Sequence, residues 1–198
     1  AGAGVGPGGA GCAPPPRVHL LVAAEVHAAL ALDEVVLVVA GDPWQKTARR
    51  AVSPAAVRLA MVRAAVAEAD RPWLRVDDCE IRRGGPSYTV DTVEAWRRER
   101  PDLEVGLILG ADAAAGLAGW HRSDELSDMV EVAVVHRPGG PQALPGPRWR
   151  TTVVDMGQMD VSSTALRERI RTGRPTDFLV CDGARAVADG AGLYRVGP

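Results

Sequence analysis

The sequence predicts an α/β protein with a doubly wound, mainly parallel sheet and a small helical part at the C-terminal end. Two observations lead there. Short continuous apolar runs, such as residues 35–40 (VVLVVA) and 105–109, lack a polar face, as strands covered by helices on both sides do. Stretches with helical spacing separate these runs, and that alternation builds parallel sheet through crossover connections.

Taken in order, a first strand would have to lie within residues 1–9. Gly and Pro disfavour extended pairing there, and Val5 is the one β-branched residue. Residues 18–32 are Ala- and Leu-rich with apolar residues at helical spacing, so they predict a helix. The strand 35–40 follows, bounded by Asp33-Glu34 and Gly41-Asp42-Pro43. Residues 53–69 open on Ser53-Pro54, an N-cap with Pro at the first helical position, and predict a second helix. Residues 74–76 and 80–81 read as short extended pieces, and 89–100 as a helix opening on a Ser/Thr/Asp-rich turn. The strand 105–109 then leads through Gly110 into a helix over 111–117. Further strands are expected at 132–136 and 152–155. Ser162 and Ser163 head an Arg-rich helix to Arg171, and a last short helix lies near 183–188. Residues 138–147 (PGGPQALPGP) read as a surface loop or lid.

At 198 residues with a net charge of −2, the chain suits one domain with a real core. Residues 1–17 form an atypical Gly/Ala/Pro-rich N-terminus. Residues 18–198 are expected to form the domain, its helical part starting at about 160. The charge gives no footprint for nucleic acid or an anionic membrane, yet leaves room for small anionic ligands. No run approaches the roughly 18 apolar residues of a membrane span, and no signal-peptide pattern is present, so a cytoplasmic protein is expected. Cys12, Cys79 and Cys181 are widely spaced, which argues against a disulfide framework or zinc site. Nearly every basic residue is Arg, and Lys46 is the only lysine. Such a survivor suggests a position that needs a compact ammonium.

Four strings carry chemistry. Residues 84–92 (GGPSYTVDT) read either as an ordinary helix cap or as a ligand loop presenting backbone amides and the Thr89 hydroxyl. In residues 110–120 (GADAAAGLAGW), Gly110 ends a buried strand, where open α/β sheets place ligands. Asp112 lies at that mouth, and Trp120 suits either core packing or stacking on an aromatic ring. Residues 161–167 (VSSTALR) bring hydroxyls, a helix N-terminus and an Arg together, as a polyphosphate site does. Residues 43–46 (PWQK) follow a strand and carry the lone lysine; a solvated loop is the plain alternative. His27, His121 and His136 have no partner at metal-ligand spacing and read as structural or surface residues.

In this order the strings resemble the nicotinate mononucleotide adenylyltransferase family of the nucleotidyltransferase superfamily. The resemblance rests on L-D-E-V at 32–35, P-W-Q-K, Arg58 with Met61, G-P-S-Y-T-x-D-T from Gly85, and G-A-D through Trp120. R-P-G at Arg137, S-S-T-x-L-R from Ser162 and the closing Leu193-Tyr194 complete it. It covers roughly residues 18–195. It implies a Rossmann-like sheet with a small C-terminal helical part. It also implies transfer of AMP from ATP to nicotinate mononucleotide with Mg²⁺, giving deamido-NAD and pyrophosphate.

Carried over, Tyr88, Thr89, Gly110, Asp112 and Trp120 would bind the mononucleotide, with Trp120 stacked on the pyridine. Gly9, His19, Ser162, Ser163, Thr164 and Arg167 would hold ATP. His19 and Lys46 would act on the phosphate path as the catalytic residues, and no protein metal ligand is implied. The partners implied are these small molecules, with a homo-oligomer left open and no nucleic acid or membrane. The chain departs from the family at its His-x-Gly-His signature, where it has Pro16-Arg17-Val18-His19. Pro16 replaces the first histidine and brings no N–H donor; Val18 replaces the glycine. The other reading is therefore a catalytically impaired paralogue that acts as a nucleotide-binding or protein-interaction module.

Overall fold

The computed structural model describes residues 2–6, 14–43, 52–137, 139–140, 142–157 and 163–194. The chain runs through β1 (Gly2–Gly6), α1 (Arg17–Ala29), β2 (Glu34–Val38), α2 (Ala55–Ala69), β3 (Leu74–Asp77), α3 (Cys79–Arg83) and α4 (Thr89–Glu99). It continues through β4 (Glu104–Gly110), α5 (Ala111–Ala115), a 3₁₀ turn (Leu117–Gly119), α6 (Ser123–Met129), β5 (Val130–His136), β6 (Thr151–Asp155), α7 (Ser163–Arg171) and α8 (Asp182–Gly190). The strand order is β3-β2-β1-β4-β5-β6, the Rossmann order, which reverses direction beside β1. The pairs β1–β4, β4–β5 and β5–β6 are parallel. The predicted α/β class and Rossmann-like sheet are thus observed.

Two compact units make up the chain. The first comprises Ala1–Pro7, Val22–Val36 and Tyr88–Met159. Its core forms around β4 and β5, where Leu107, Leu109, Val130, Val132 and Val134 are almost fully buried. Val90, Val93 and Trp96 bury one face of α4, spaced at three and six residues as an amphipathic helix requires. Strand β1 forms despite its glycines. Its register on β4, Gly2 opposite Glu104 through Val5 opposite Leu107, uses backbone groups that glycine carries like any residue. A place between β2 and β4 gives both edges a partner.

The second unit comprises Gly8–Leu21, Leu37–Ser87 and Asp160–Pro198. Met61 and Ala65 of α2, Leu166 of α7, and Val180, Cys181, Ala184 and Ala188 at α8 form its core. Small residues let α2 and α8 approach closely. A Cβ on Gly183 would stand 3.2 Å from the Cβ of Ala64, so only glycine fits without displacement. Arg58 is buried in this unit with relative exposure of 4%. Its guanidinium donates to the carbonyls of Ser53 (2.9 Å), Ala40 (2.7 Å) and Gly41 (3.0 Å), which answers the desolvation that lowers its pKa.

Four local readings are corrected. Residues 80–81 are helical, within α3, because Asp77 accepts the Cys79 N–H (2.8 Å) and Asp78 accepts from Arg82 (2.7 Å). This acidic entry and the basic last turn suit the helix dipole. Ser53 does not cap α2; Pro54 takes the N-cap position with no side-chain cap, and the Ser53 hydroxyl meets that of Tyr194 at 3.2 Å. The helix expected over 111–117 stops at Ala115 and passes through Gly116 into a 3₁₀ turn. Finally, α6 has no counterpart in the sequence reading; at seven residues it is too short for periodicity to show.

Candidate functional site

Tyr88, Thr89, Gly110, Asp112 and Trp120 all belong to the first unit. Gly110 ends β4, in the pair of strands beside which the sheet order reverses. That switch point is where open α/β sheets collect ligands. Gly110 is also the N-cap of α5, and Asp112 lies exposed in that helix's first turn. Trp120 follows the 3₁₀ turn, half-buried, its N–H donating to the Leu117 carbonyl at 3.0 Å. Tyr88 is the N-cap of α4 and Thr89 its first residue. The Tyr88 ring stacks on that of His121, with centroids 4.0 Å apart and planes at 22°. His121 therefore belongs to this cluster, a role the sequence reading did not give it. The signal was its place directly after Trp120.

His19, Ser163, Thr164 and Arg167 belong to the second unit. His19 lies in the first turn of α1, and its N–H donates to the Pro16 carbonyl at 3.0 Å. The start of this helix is anchored by Arg17. The Arg17 N–H donates to the Leu179 carbonyl (2.9 Å), Nε to the Val180 carbonyl (3.3 Å) and Nη2 to Glu68 Oε1 (2.5 Å). The other Glu68 oxygen accepts the Gly183 N–H at 3.1 Å. Ser163 begins α7, and Arg167 one turn later donates to the Thr164 hydroxyl at 3.0 Å. Two buried atoms here have no hydrogen-bond partner among the described residues: His19 Nδ1 and Ser163 Oγ. One such atom lies in the first unit, His136 Nε2 at the end of β5; its Nδ1 faces Asp155 at 3.8 Å.

The strand-to-loop exit after β2 is also shaped in the second unit. A Cβ at Gly41 would come within 2.8 Å of the Glu80 carbonyl oxygen. Asp42 pairs with the segment leading to Tyr88, exchanging a hydrogen bond with Ser87 in each direction (3.0 and 3.2 Å). Arg58, already noted in the sequence beside Met61, ties both Ala40–Gly41 and Ser53. These are the two flanks of the stretch holding P-W-Q-K. Gly9, Lys46 and Ser162 lie outside the described residues. No group of three or more His, Cys, Asp or Glu that could hold a metal occurs among the described residues. No helix among them is long and apolar enough to cross a membrane.

Residues 14–169 match the cytidylyltransferase-like family. A protein of Saccharopolyspora erythraea named probable nicotinate-nucleotide adenylyltransferase is 41% identical over 180 residues, 89% of this chain and 82% of that protein. The chain belongs to the nicotinate-nucleotide adenylyltransferase family. A second family member, from Streptomyces coelicolor and of the same name, is also 41% identical, over 89% of this chain and 93% of its own length. The fold agrees. The Plasmodium falciparum nicotinic acid mononucleotide adenylyltransferase complexed with NaAD superposes with a TM-score of 0.77 over 98% of this chain and 96% of its own, at 12% identity.

Proposed function

We propose that the chain joins nicotinate mononucleotide to ATP, giving deamido-NAD and pyrophosphate in NAD biosynthesis. The observation that carries this reading is the pair of buried, unpartnered atoms His19 Nδ1 and Ser163 Oγ. They fall on two residues that the resemblance assigns to ATP. Buried polar atoms are nearly always satisfied, so two orphans on such residues are explained by a ligand that completes them. The family relatives and their shared motifs support the same substrates.

In this reading a phosphate oxygen of the mononucleotide attacks the α-phosphorus of ATP, and the bond to the β-phosphate oxygen breaks. The attacking phosphate is already ionised, so neither a protein nucleophile nor a strong base is required; the work is in-line positioning and charge stabilisation. Tyr88, Thr89, Gly110, Asp112 and Trp120 hold the acceptor. His19, Ser163, Thr164 and Arg167, with Gly9, Lys46 and Ser162, hold ATP and its phosphates. The donor set suits a Mg²⁺ ion arriving on ATP, because Mg²⁺ keeps most of its ligands as phosphate oxygens and water. There it would neutralise phosphate charge. The substrates are metabolites of the cytoplasm, where we place the protein.

One observation favours a second reading. Pro16 is buried at the position of the family's first histidine and pairs with Val180, and it supplies neither imidazole nor N–H. A non-catalytic nucleotide binder would result if that loss is decisive. Purified protein with ATP, Mg²⁺ and nicotinate mononucleotide separates the two. Pyrophosphate release above background establishes the enzyme; ATP binding without release establishes the binder.

A further inference from the structure

Between Trp120 and α6 the backbone passes through the left-handed region at Arg122, with φ 50° and ψ 44°. A residue with a long side chain adopts that conformation against steric resistance, so the surroundings must hold it there. The surroundings are visible. The Arg122 guanidinium contacts Glu94 (2.5 and 3.3 Å) and Asp91 (3.5 Å) on α4, and Glu125 (2.5 and 2.9 Å) on α6. One residue earlier, His121 stacks on Tyr88, the N-cap of α4. Trp120 is thus followed by two consecutive residues that are each fastened to the opening turns of α4.

We propose that Arg122 is a positioning residue for the acceptor substrate. It locks the turn carrying Trp120 and His121 onto the start of α4, and so fixes Trp120 relative to Tyr88 and Thr89. This rests on the reading of those three residues as the mononucleotide site. Three carboxylates already surround the single guanidinium, so Arg122 acts through geometry rather than by reaching the substrate phosphate itself. Its planar fork is what makes this work: it grips Glu94 and Glu125 together, which a lysine ammonium cannot do with the same geometry. The side chains are about one-third exposed or more, 32% for Arg122 and 31%, 33% and 58% for Glu94, Asp91 and Glu125. Exposed pairs of this kind add little to global stability. The proposed role is therefore separable from folding.

The test compares wild type with Arg122→Ala and Arg122→Lys by initial rates of pyrophosphate release, and by calorimetric titration of nicotinate mononucleotide without ATP. Arg122→Ala should raise both KM and Kd for the mononucleotide about tenfold, the size of effect a slightly misplaced binding surface produces. It should leave kcat and the KM for ATP within about twofold; the lysine variant should recover part of the loss. Unchanged KM and Kd in Arg122→Ala overturn the proposal. A parallel rise in KM for both substrates with a lowered melting temperature overturns it too, since that is what a purely structural role would give. Wild-type protein that binds the mononucleotide without turning over defeats the activity reading alone, and the calorimetry then decides for Arg122. Wild-type protein that does not bind the mononucleotide overturns both.

Discussion

In the first unit Tyr88 caps α4 and stacks on His121, and the neighbouring Arg122 meets three carboxylates. In the second unit His19 and Ser163 each bury a polar atom that meets no partner among the described residues. On the proposed reading, Tyr88 on the acceptor side is braced by its neighbours, whereas His19 and Ser163 on the nucleotide side each leave a buried polar atom for a ligand to complete. An unpaired buried polar atom costs about 1–3 kcal/mol, a penalty a fold retains where a ligand relieves it. In the proposed function the acceptor is a small mononucleotide. ATP brings a row of charged oxygens able to satisfy waiting donors.

The contrast can be broken at five residues. Arg58→Ala should have the largest effect, because it strips donors from the carbonyls of Ala40, Gly41 and Ser53 at once. A loss of about 3 kcal/mol in urea unfolding is expected, showing that these backbone carbonyls depend on Arg58. An unshifted urea midpoint would show that those carbonyls have other donors. Next, His19→Ala should lower kcat/KM about a hundredfold, as removal of a charge-stabilising group does, with mononucleotide affinity kept; unchanged turnover would remove His19 from the phosphate path. Lys46→Ala should act in the same direction.

Ser163→Ala separates the two regions most directly. Its hydroxyl has no partner to lose among the described residues, so the melting temperature should hold or rise while the KM for ATP increases about tenfold. A lower melting temperature with an unchanged KM would reverse the assignment. The smallest effect concerns pH. Hydrogen bonds from Arg122 hold the Glu94 and Glu125 carboxyls below the usual range. A carboxylate depressed in this way stabilises the native state above its ordinary pKa of about 4.3 and loses that contribution as pH falls through the depressed value. Glu94→Gln should lower the melting temperature by about 2 °C or less at neutral pH. The difference should shrink as the pH falls below the ordinary carboxylate pKa; one that does not shrink in acid would show that the clamp does not depend on charge.

The strands of the first unit were legible because β4 and β5 are continuous apolar runs, and such runs have few alternatives in a covered sheet. Strand β1 could be placed within residues 1–9 only from the alternation of the later elements, since glycine hides strand preference and the stabilising partner, β4, lies about a hundred residues away. Helix α3 was missed for the opposite reason: its determinants are the side chains of Asp77, Asp78 and Arg82, acting across one turn too short for a period. Among the candidate residues, Thr89, Gly110 and Ser163 stand where their strings placed them, at the start of α4, the end of β4 and the start of α7. The Tyr88–His121 stack and the Arg122 clamp depend on two segments about thirty residues apart meeting, which no local pattern encodes. Cys79 is half-buried, and its thiol is pushed up to about 12 by burial and by Asp77 and Glu80.

Glu68 holds Arg17 with one oxygen and the Gly183 N–H with the other. Arg17 is further tied through its own N–H and Nε to Leu179 and Val180. None of these bonds uses a side chain at position 16 or 18, the two places where the chain leaves its family's signature. The hydrogen bonds that moor the helix presenting His19 therefore bypass those two side chains, although both residues are buried. An engineer restoring the family's residues at those positions would keep the Arg17–Glu68 mooring and would have to make good only the packing of Pro16 and Val18.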